Sequence, residues 1–141
     1  MSLSTAIEVG ASGLTAQRRR LETLISNLVN ANTTNPEGVE PYRRKDVVFT
    51  SASPTDSFGS LMEDAVKGVS ISEVVTDKSD PIKRYEPGHP HADKDGYVSY
   101  PNVNVLEEMV NIMSSTRSYE ANLQAVGVVK EMQQKALNLF S

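Results

Sequence analysis

Proline placement constrains this chain more than any other feature of its sequence. All seven prolines lie between Pro36 and Pro101, and residues 1–35 and 102–141 contain none. Proline disrupts helix interiors, so the two ends are free to form long helices and the middle is not. The sequence predicts a mainly α fold, in which long N- and C-terminal helices pair as an antiparallel coiled-coil-like rod. A small, irregular insert containing β-strands separates them, with predicted boundaries at residues 1–34, 35–102 and 103–141.

The N-terminal segment has the apolar periodicity of a packed helix over about residues 5–31. One row of leucine and isoleucine recurs every seven residues, and it consists of Ile7, Leu14, Leu21 and Leu28. Leu24 belongs to a companion row that Gly10 and Gln17 weaken, and Ile25 widens the apolar stripe. This spacing predicts a seam of the coiled-coil type.

The C-terminal segment predicts a second helix over about residues 105–139. Asn104 and Glu107 have the spacing of a capping box. The apolar rows contain Val105, Ile112, Tyr119, Val126 and Phe140, and also Met109, Leu123 and Leu137. Leu106, Val110 and Met113 make the first turns apolar on more than one side.

Helices of this length exceed what the chain can cover by itself. At about 1.5 Å per residue they span roughly 40 and 50 Å, whereas a compact chain of 141 residues is only about 30 Å across. Two paired helices cannot cover each other's wide apolar arcs. We therefore expect other chains to supply the missing surface.

The middle of the chain has short β signals separated by turns. Alternation at residues 69–75 predicts a strand, and residues 82–85 and 97–100 predict two more. Asp95-Gly96 is typical of a hairpin turn. Residues 51–60 are rich in Ser, Pro and Gly and predict a loop.

Composition narrows the function classes. The net charge of −4 argues against nucleic acid as the main partner. The chain has no cysteine, which excludes disulfides and thiolate sites. No apolar run approaches the ~18 residues of a membrane span, and no cleavable signal is visible. Composition alone predicts a soluble cytoplasmic protein without cofactor or direct membrane insertion.

One loop resembles a chemical site. His89, His91, Asp93 and Asp95 alternate in a turn-rich segment, and Asp-x-Asp-Gly matches part of a calcium loop. The bidentate Glu that would complete such a loop is missing, so a solvated turn is the favoured interpretation. A metal-binding or catalytic module at this loop remains an alternative.

Asn27, Asn30 and Asn32 form an unusual cluster at the end of the first helix. Buried Asn can fix the register between helices, and a fraying helix end explains the cluster equally well. Both interpretations stay open on the sequence alone. The basic runs 18–20 and 43–45 are interpreted as solvated.

Four segments carry a family resemblance. Residues 26–34 (SNLVNANTT) and 41–49 (PYRRKDVVF) resemble the N-terminal signature of bacterial flagellar rod proteins. Residues 89–109 (HPHADKDGYVSYPNVNVLEEM) and 118–122 (SYEAN) resemble the C-terminal signature of one member, from the proximal rod. Val29 departs from the small residue often present there.

The resemblance implies a structural subunit, not an enzyme. It would polymerise through its terminal helices into the rod of the basal body, which crosses the periplasm and transmits torque. The implied partners are copies of itself, the rod proteins FlgB, FlgF, FlgG and FliE, and the flagellar type III export apparatus, which would export it without a cleavable signal peptide. The location in the flagellum overrides the cytoplasmic expectation.

The expected assembly interface joins the apolar rows and the Asn cluster. It comprises Ile7, Leu14, Leu21, Leu24, Ile25, Asn27, Leu28, Asn30, Asn32, Val105, Met109, Ile112, Met113, Tyr119, Leu123 and Val126. Two further alternatives would also bury apolar helix faces against other chains. They are a secreted needle-like protein and a soluble adaptor with one helical partner.

Overall fold

The computed structural model describes residues 3–52 and 67–138 of the chain. In chain order the elements are α1 (Leu3–Asn30), β1 (Lys45–Ala52), β2 (Gly68–Thr76), β3 (Ile82–Tyr85), β4 (Tyr97–Tyr100) and α2 (Val105–Asn138). Both predicted helices are present. Asn104 caps α2 as its sequence predicts, because its Oδ1 accepts hydrogen bonds from the backbone N–H groups of Leu106 and Glu107.

The two helices pack against each other in antiparallel directions. Gly13 near the start of α1 lies beside Asn122 in the second half of α2. Asn27 near the end of α1 bonds to Glu108 in the first turn of α2. The residue numbers of facing positions therefore add to about 135. The sheet of β1 and β2 runs along α1, since the Asn27 side chain accepts the Lys45 N–H at the start of β1 and the Ser12 hydroxyl accepts the Val69 N–H of β2.

The expectation of a mainly α fold is wrong. The insert is not a small irregular segment, because β1 and β2 form an antiparallel sheet of eight and nine residues. Both strands pack on α1, so the fold combines two long helices with two antiparallel sheets. Sequence reasoning missed β1 because the consecutive apolar residues Val47, Val48 and Phe49 obscure the alternation that marks a half-buried strand.

The three predicted strands are confirmed as β2, β3 and β4. The connection between β3 and β4 spans residues 86–96, and Asp95-Gly96 lies in its last turn. A turn closed by the Gly96 N–H and the Asp93 carbonyl ends that loop. Gly96 has φ of 82°, a conformation that favours glycine.

The buried apolar residues of the described chain are few and are spread over α1, the turn after it, β1 and β4. They are Ala16, Leu24, Ala31, Val47 and Val98. The predicted loop at residues 51–60 begins with Ser51 and Ala52, which instead end β1, and its remainder lies outside the described residues, as do Leu139 and Phe140. In the described part of the chain neither helix is long and apolar enough to cross a membrane.

Candidate assembly surface

The fully buried positions of α2 in its seam with α1 are polar. Over the described length of α2 they are Glu108 and Ser115. The Oγ atom of Ser115 and the Oε1 atom of Gln17 are buried and have no hydrogen-bond partner among the described residues. The apolar side chains on the same side of α2, among them Ile112, Tyr119 and Val126, are only half-buried.

A polar network joins the two helices to β1 at the end of the seam where α1 finishes and α2 begins. Asn27 is fully buried and donates from Nδ2 to the Lys45 carbonyl oxygen at 2.8 Å and to Glu108 Oε2 at 3.1 Å. Its Oδ1 accepts from the Tyr42 hydroxyl at 2.8 Å and from the Lys45 N–H at 2.9 Å. All hydrogen-bonding positions of the amide are used, so Asn27 holds the start of β1 against both helices.

Glu108 carries the charge of this network, and Arg44 balances it. The Arg44 Nε atom donates to Glu108 Oε1 at 2.6 Å, and the Glu108 side chain is 1% exposed. Burial acts to lower the pKa of Arg44, but the hydrogen bond and charge of Glu108, helped by Asp46 and Glu107, raise that pKa above its ordinary value. The hydrogen bond of the pair fixes α2 to the segment that leads into β1.

The side of α2 that faces away from α1 is apolar and exposed. We call Leu106, Met109, Val110 and Met113 the outer stripe. Their exposed fractions are 74, 47, 64 and 58%. Their spacing of three, four and seven residues places them on one face. At about 3.6 residues per turn, that face lies roughly opposite the one that carries Glu108 and Ser115.

Further exposed apolar side chains continue along both helices. On α2 they are Leu123, Val128, Met132 and Leu137, and on α1 they include Ile25 and Val29. A helix that is apolar on opposite faces is normally buried on both. The outer stripe is the most compact of these surfaces and is thus the candidate assembly surface.

The structure distributes the predicted interface residues over three environments. Leu24 and Asn27 are buried within the chain, so they are not available for contact with another subunit. Ile25, Asn32, Met109, Met113 and Leu123 are exposed. The remaining nine are half-buried, and they are Ile7, Leu14, Leu21, Leu28, Asn30, Val105, Ile112, Tyr119 and Val126. That they meet other chains stays a prediction.

Sequence reasoning missed the polar network apart from Asn27. It gave Glu108 no place in a network and interpreted Arg44 as part of a solvated basic run. One signal could have found Glu108: it lies seven residues before Ser115 and fourteen before Asn122, on the seam side of α2. A carboxylate on a seam needs a cation or donors nearby.

The histidine loop makes contacts that account for its polar residues. His91 Nδ1 lies 2.9 Å from the Thr34 hydroxyl, and His89 Nδ1 accepts the His91 N–H at 3.1 Å. The Asp93 carboxylate accepts the backbone N–H groups of Asp95 and Tyr97. Among residues 3–52 and 67–138, no three His, Asp or Glu side chains are grouped so that they could hold a metal ion.

Comparisons with known proteins agree on one family. Residues 7–36 match the family described as "Flagella basal body rod protein". Residues 94–139 match "Flagellar basal body rod FlgEFG protein C-terminal". The first matched segment includes most of α1, and the second includes the whole of α2.

Similar full-length proteins carry one name. The flagellar basal-body rod protein FlgC of Escherichia coli O6:H1 is 43% identical over 99% of this chain and 98% of its own length. FlgC of Bacillus subtilis strain 168 is 42% identical over 99% of both chains. FlgC of Borreliella burgdorferi is 36% identical over 99% of both.

Proposed function

The chain belongs to the flagellar basal-body rod protein FlgC family, and from that premise we propose how it works as a rod subunit. It is a structural subunit of the rod of the flagellar basal body. It polymerises through its terminal helices, and the outer stripe of α2 is buried against neighbouring subunits. The resulting tube transmits torque.

The exposed apolar face of α2 carries this proposal. The buried residues of α2 are polar, while the four residues of the outer stripe are about half to three-quarters exposed. Burial of one large apolar side chain contributes about 1.5–3 kcal/mol. Four such residues on one face give a subunit a strong tendency to bind further protein, and an amphipathic helix of a neighbouring rod subunit has the right form to cover them.

The polar network supports the second half of the proposal, the transmission of torque. A subunit that carries torque must keep its parts at fixed angles. Arg44, Asn27 and Glu108 connect β1 to both helices through short, largely buried hydrogen bonds. The sheet of β1 and β2 therefore turns together with the helix pair.

Family membership also supports a set of partners and a location. The proposed partners are other copies of the chain, the rod proteins FlgB, FlgF, FlgG and FliE, and the flagellar type III export apparatus. The rod lies in the periplasm, and the subunit reaches it without a cleavable signal peptide. The predicted boundaries at residues 34–35 and 102–103 separate the helical assembly unit from the insert.

We propose no catalytic role. The relatives are named as rod proteins. One ring nitrogen of each histidine is hydrogen-bonded, His91 Nδ1 to the Thr34 hydroxyl and His89 Nδ1 to the backbone N–H of His91. These contacts support a structural role for the loop, which ties the segment after α1 to the segment before β4. His89→Ala together with His91→Ala tests this: the pair should leave rod assembly intact or weaken it through stability alone.

Loss and rescue of the rod in cells test the function. A strain that lacks its own copy is supplied with the parent chain or with Leu106→Asp plus Val110→Asp, and its envelope is imaged by electron cryotomography. We expect rods with the parent chain and none with the double variant, because aspartate in the outer stripe opposes its burial. Val39→Asp is the matched control, since Val39 is 57% exposed outside the helices. Rods in cells that carry the double variant would contradict the proposal.

A further inference from the structure

The outer stripe contains a chemically reactive pair. Met109 and Met113 are four residues apart on one face of α2 and are 47 and 58% exposed. Their thioethers are open to solvent in the free chain. A third methionine of the same helix, Met132, is 55% exposed but lies outside the outer stripe.

Methionine thioethers react with two-electron oxidants such as hydrogen peroxide. The sulfur atom attacks one peroxide oxygen, a sulfur–oxygen bond forms, and the oxygen–oxygen bond breaks. The second oxygen leaves as water, the sulfur is oxidised by two electrons, and the peroxide is reduced. The product is a methionine sulfoxide, which is polar where the thioether was apolar.

The position of the pair gives this reaction a consequence. Leu106 and Val110 flank the two methionines on the same face and have no group that could donate a hydrogen bond to a sulfoxide oxygen. A sulfoxide buried among them would lose its water without a new partner. The same change at Met132 would leave the outer stripe apolar.

We propose that Met109 and Met113 form an oxidation site that controls assembly: as thioethers they permit burial of the outer stripe, and as sulfoxides they prevent it. The inference rests on the proposed function, because it requires that the outer stripe be buried in the rod. It predicts that subunits are sensitive to peroxide before assembly. Methionine sulfoxide reductases, which return sulfoxides to thioethers, restore the competent form.

The first test locates the reaction in the purified chain. The chain is treated with hydrogen peroxide, digested, and examined by mass spectrometry for peptides that have gained one oxygen atom. We expect oxygen at Met109 and Met113, and its removal after treatment with methionine sulfoxide reductases. Thioethers that persist at both positions while Met132 is oxidised would overturn the proposal.

The second test asks what a polar group at these positions does in cells. Glutamine is similar in length to methionine and polar, so it stands in for the sulfoxide. In a strain that lacks its own copy, Met109→Gln plus Met113→Gln should reduce the number of rods per cell at least about tenfold, because the burial of two large side chains is lost. Met132→Gln, the matched control, should form rods at the level of the parent chain.

The outcomes separate this inference from the function on which it rests. Normal rods with Met109→Gln plus Met113→Gln, and none with Leu106→Asp plus Val110→Asp, would overturn the oxidation site and leave the assembly surface in place. Normal rods with both double variants would overturn the assembly surface and the oxidation site together. An equal loss of rods with Met132→Gln would also contradict the site, because the effect would then not depend on the outer stripe.

Discussion

At the scale of single residues, Asn27 shows how one amide can organise a small protein. It links α1, the start of β1 and the first turn of α2 through four hydrogen bonds. The sequence allowed two interpretations of this residue, register or a fraying helix end, and could not decide between them. The decision came from residues far away in the chain, Tyr42 and Glu108, which only the fold brings to the same place.

Replacement of Asn27 by alanine should cost about 3 kcal/mol of unfolding free energy. The change leaves the Lys45 backbone groups and one Glu108 oxygen without the Asn27 amide, while the Tyr42 hydroxyl keeps its contact with Ser26. Each unsatisfied buried group costs about 1–3 kcal/mol, offset in part where water enters. Chemical denaturation of the purified chain measures the effect. Asn32→Ala is the control, because Asn32 is exposed and should change stability by less than about 0.5 kcal/mol. Equal effects of the two variants would contradict the assignment.

The Arg44–Glu108 pair should show a coupling of about 1–3 kcal/mol in a double-mutant cycle with Arg44→Met and Glu108→Gln. The exposed pair Arg18–Glu22, with side chains 75 and 47% exposed, is the control and should couple by about 0.5 kcal/mol or less.

The pKa of Arg44 is raised in the folded chain. The contribution is therefore fully present below the unfolded pKa and is lost only as the pH rises through the folded pKa, far above neutrality. A coupling that changes between pH 6 and 8 would contradict this account.

At the scale of elements, the burial of side chains changes along the helix pair. Leu24, Asn27 and Glu108 are buried at the end where α1 finishes and α2 begins. At the opposite end Gly10 and Gly13 lie against side chains of α2, but no described residue of α1 before Ala16 or of α2 after Ser115 is buried. The stability of α1 and α2 should therefore fall towards that end.

Amide hydrogen exchange on the free subunit should follow this gradient. We expect slow exchange at Leu24 and Ile112, close to the polar network, and fast exchange at Leu14 and Leu123, because helices whose apolar faces are unpaired are marginal by themselves. Strong protection at Leu14 and Leu123 in a verified monomer would contradict this. Exchange that is uniform along α2 would show that the network does not set the gradient.

Two glycines of the helices should respond to alanine in opposite ways. A Cβ atom at Gly10 would overlap the Val126 Cγ2 methyl group, whose rotamer is stiff in a helix, whereas nothing lies within 4 Å of a Cβ at Gly127. Gly127→Ala should thus raise stability by up to about 1 kcal/mol through helix propensity. Gly10→Ala should lower the stability, because the overlap with Val126 outweighs the same gain in helix propensity. Thermal unfolding followed by circular dichroism distinguishes them, and a rise for both would show that α1 and α2 are not in close contact at Gly10.

Periodicity predicted the elements better than it predicted their roles. Both helices and three of the four strands were evident, because proline placement and alternation are local signals. Strand β1 was missed because its apolar run has no clear period. Of the two heptad rows of α2, the one with Ile112, Tyr119 and Val126 lies on the seam side and is half-buried, whereas Met109 and Leu123 of the other row are exposed. Periodicity alone did not show which row packs on α1, nor that Glu108 and Ser115 are the buried positions of the seam. Local patterns report amphipathicity, whereas the burial of a carboxylate depends on a distant arginine.

At the scale of the whole molecule, the chain is built to be incomplete. In the described part of the chain only a few apolar residues are buried, and many large apolar side chains remain on the surface of both helices. The length argument from sequence anticipated this need for other chains. Helix length could not identify the outer stripe, because only the fold shows which face of α2 packs on α1 and which face, with Leu106 and Val110, is left exposed.

Burial of the outer stripe in the assembled rod is the central claim, and thiol labelling tests it most directly. The chain has no cysteine, so Val110→Cys introduces a single reporter in the outer stripe. A water-soluble maleimide is applied to the free subunit, to isolated basal bodies, and to the same basal bodies after denaturation. The account predicts labelling of the free and denatured samples and protection in intact basal bodies. Equal labelling of Val110→Cys in the free subunit and in intact, assembled rods would contradict it.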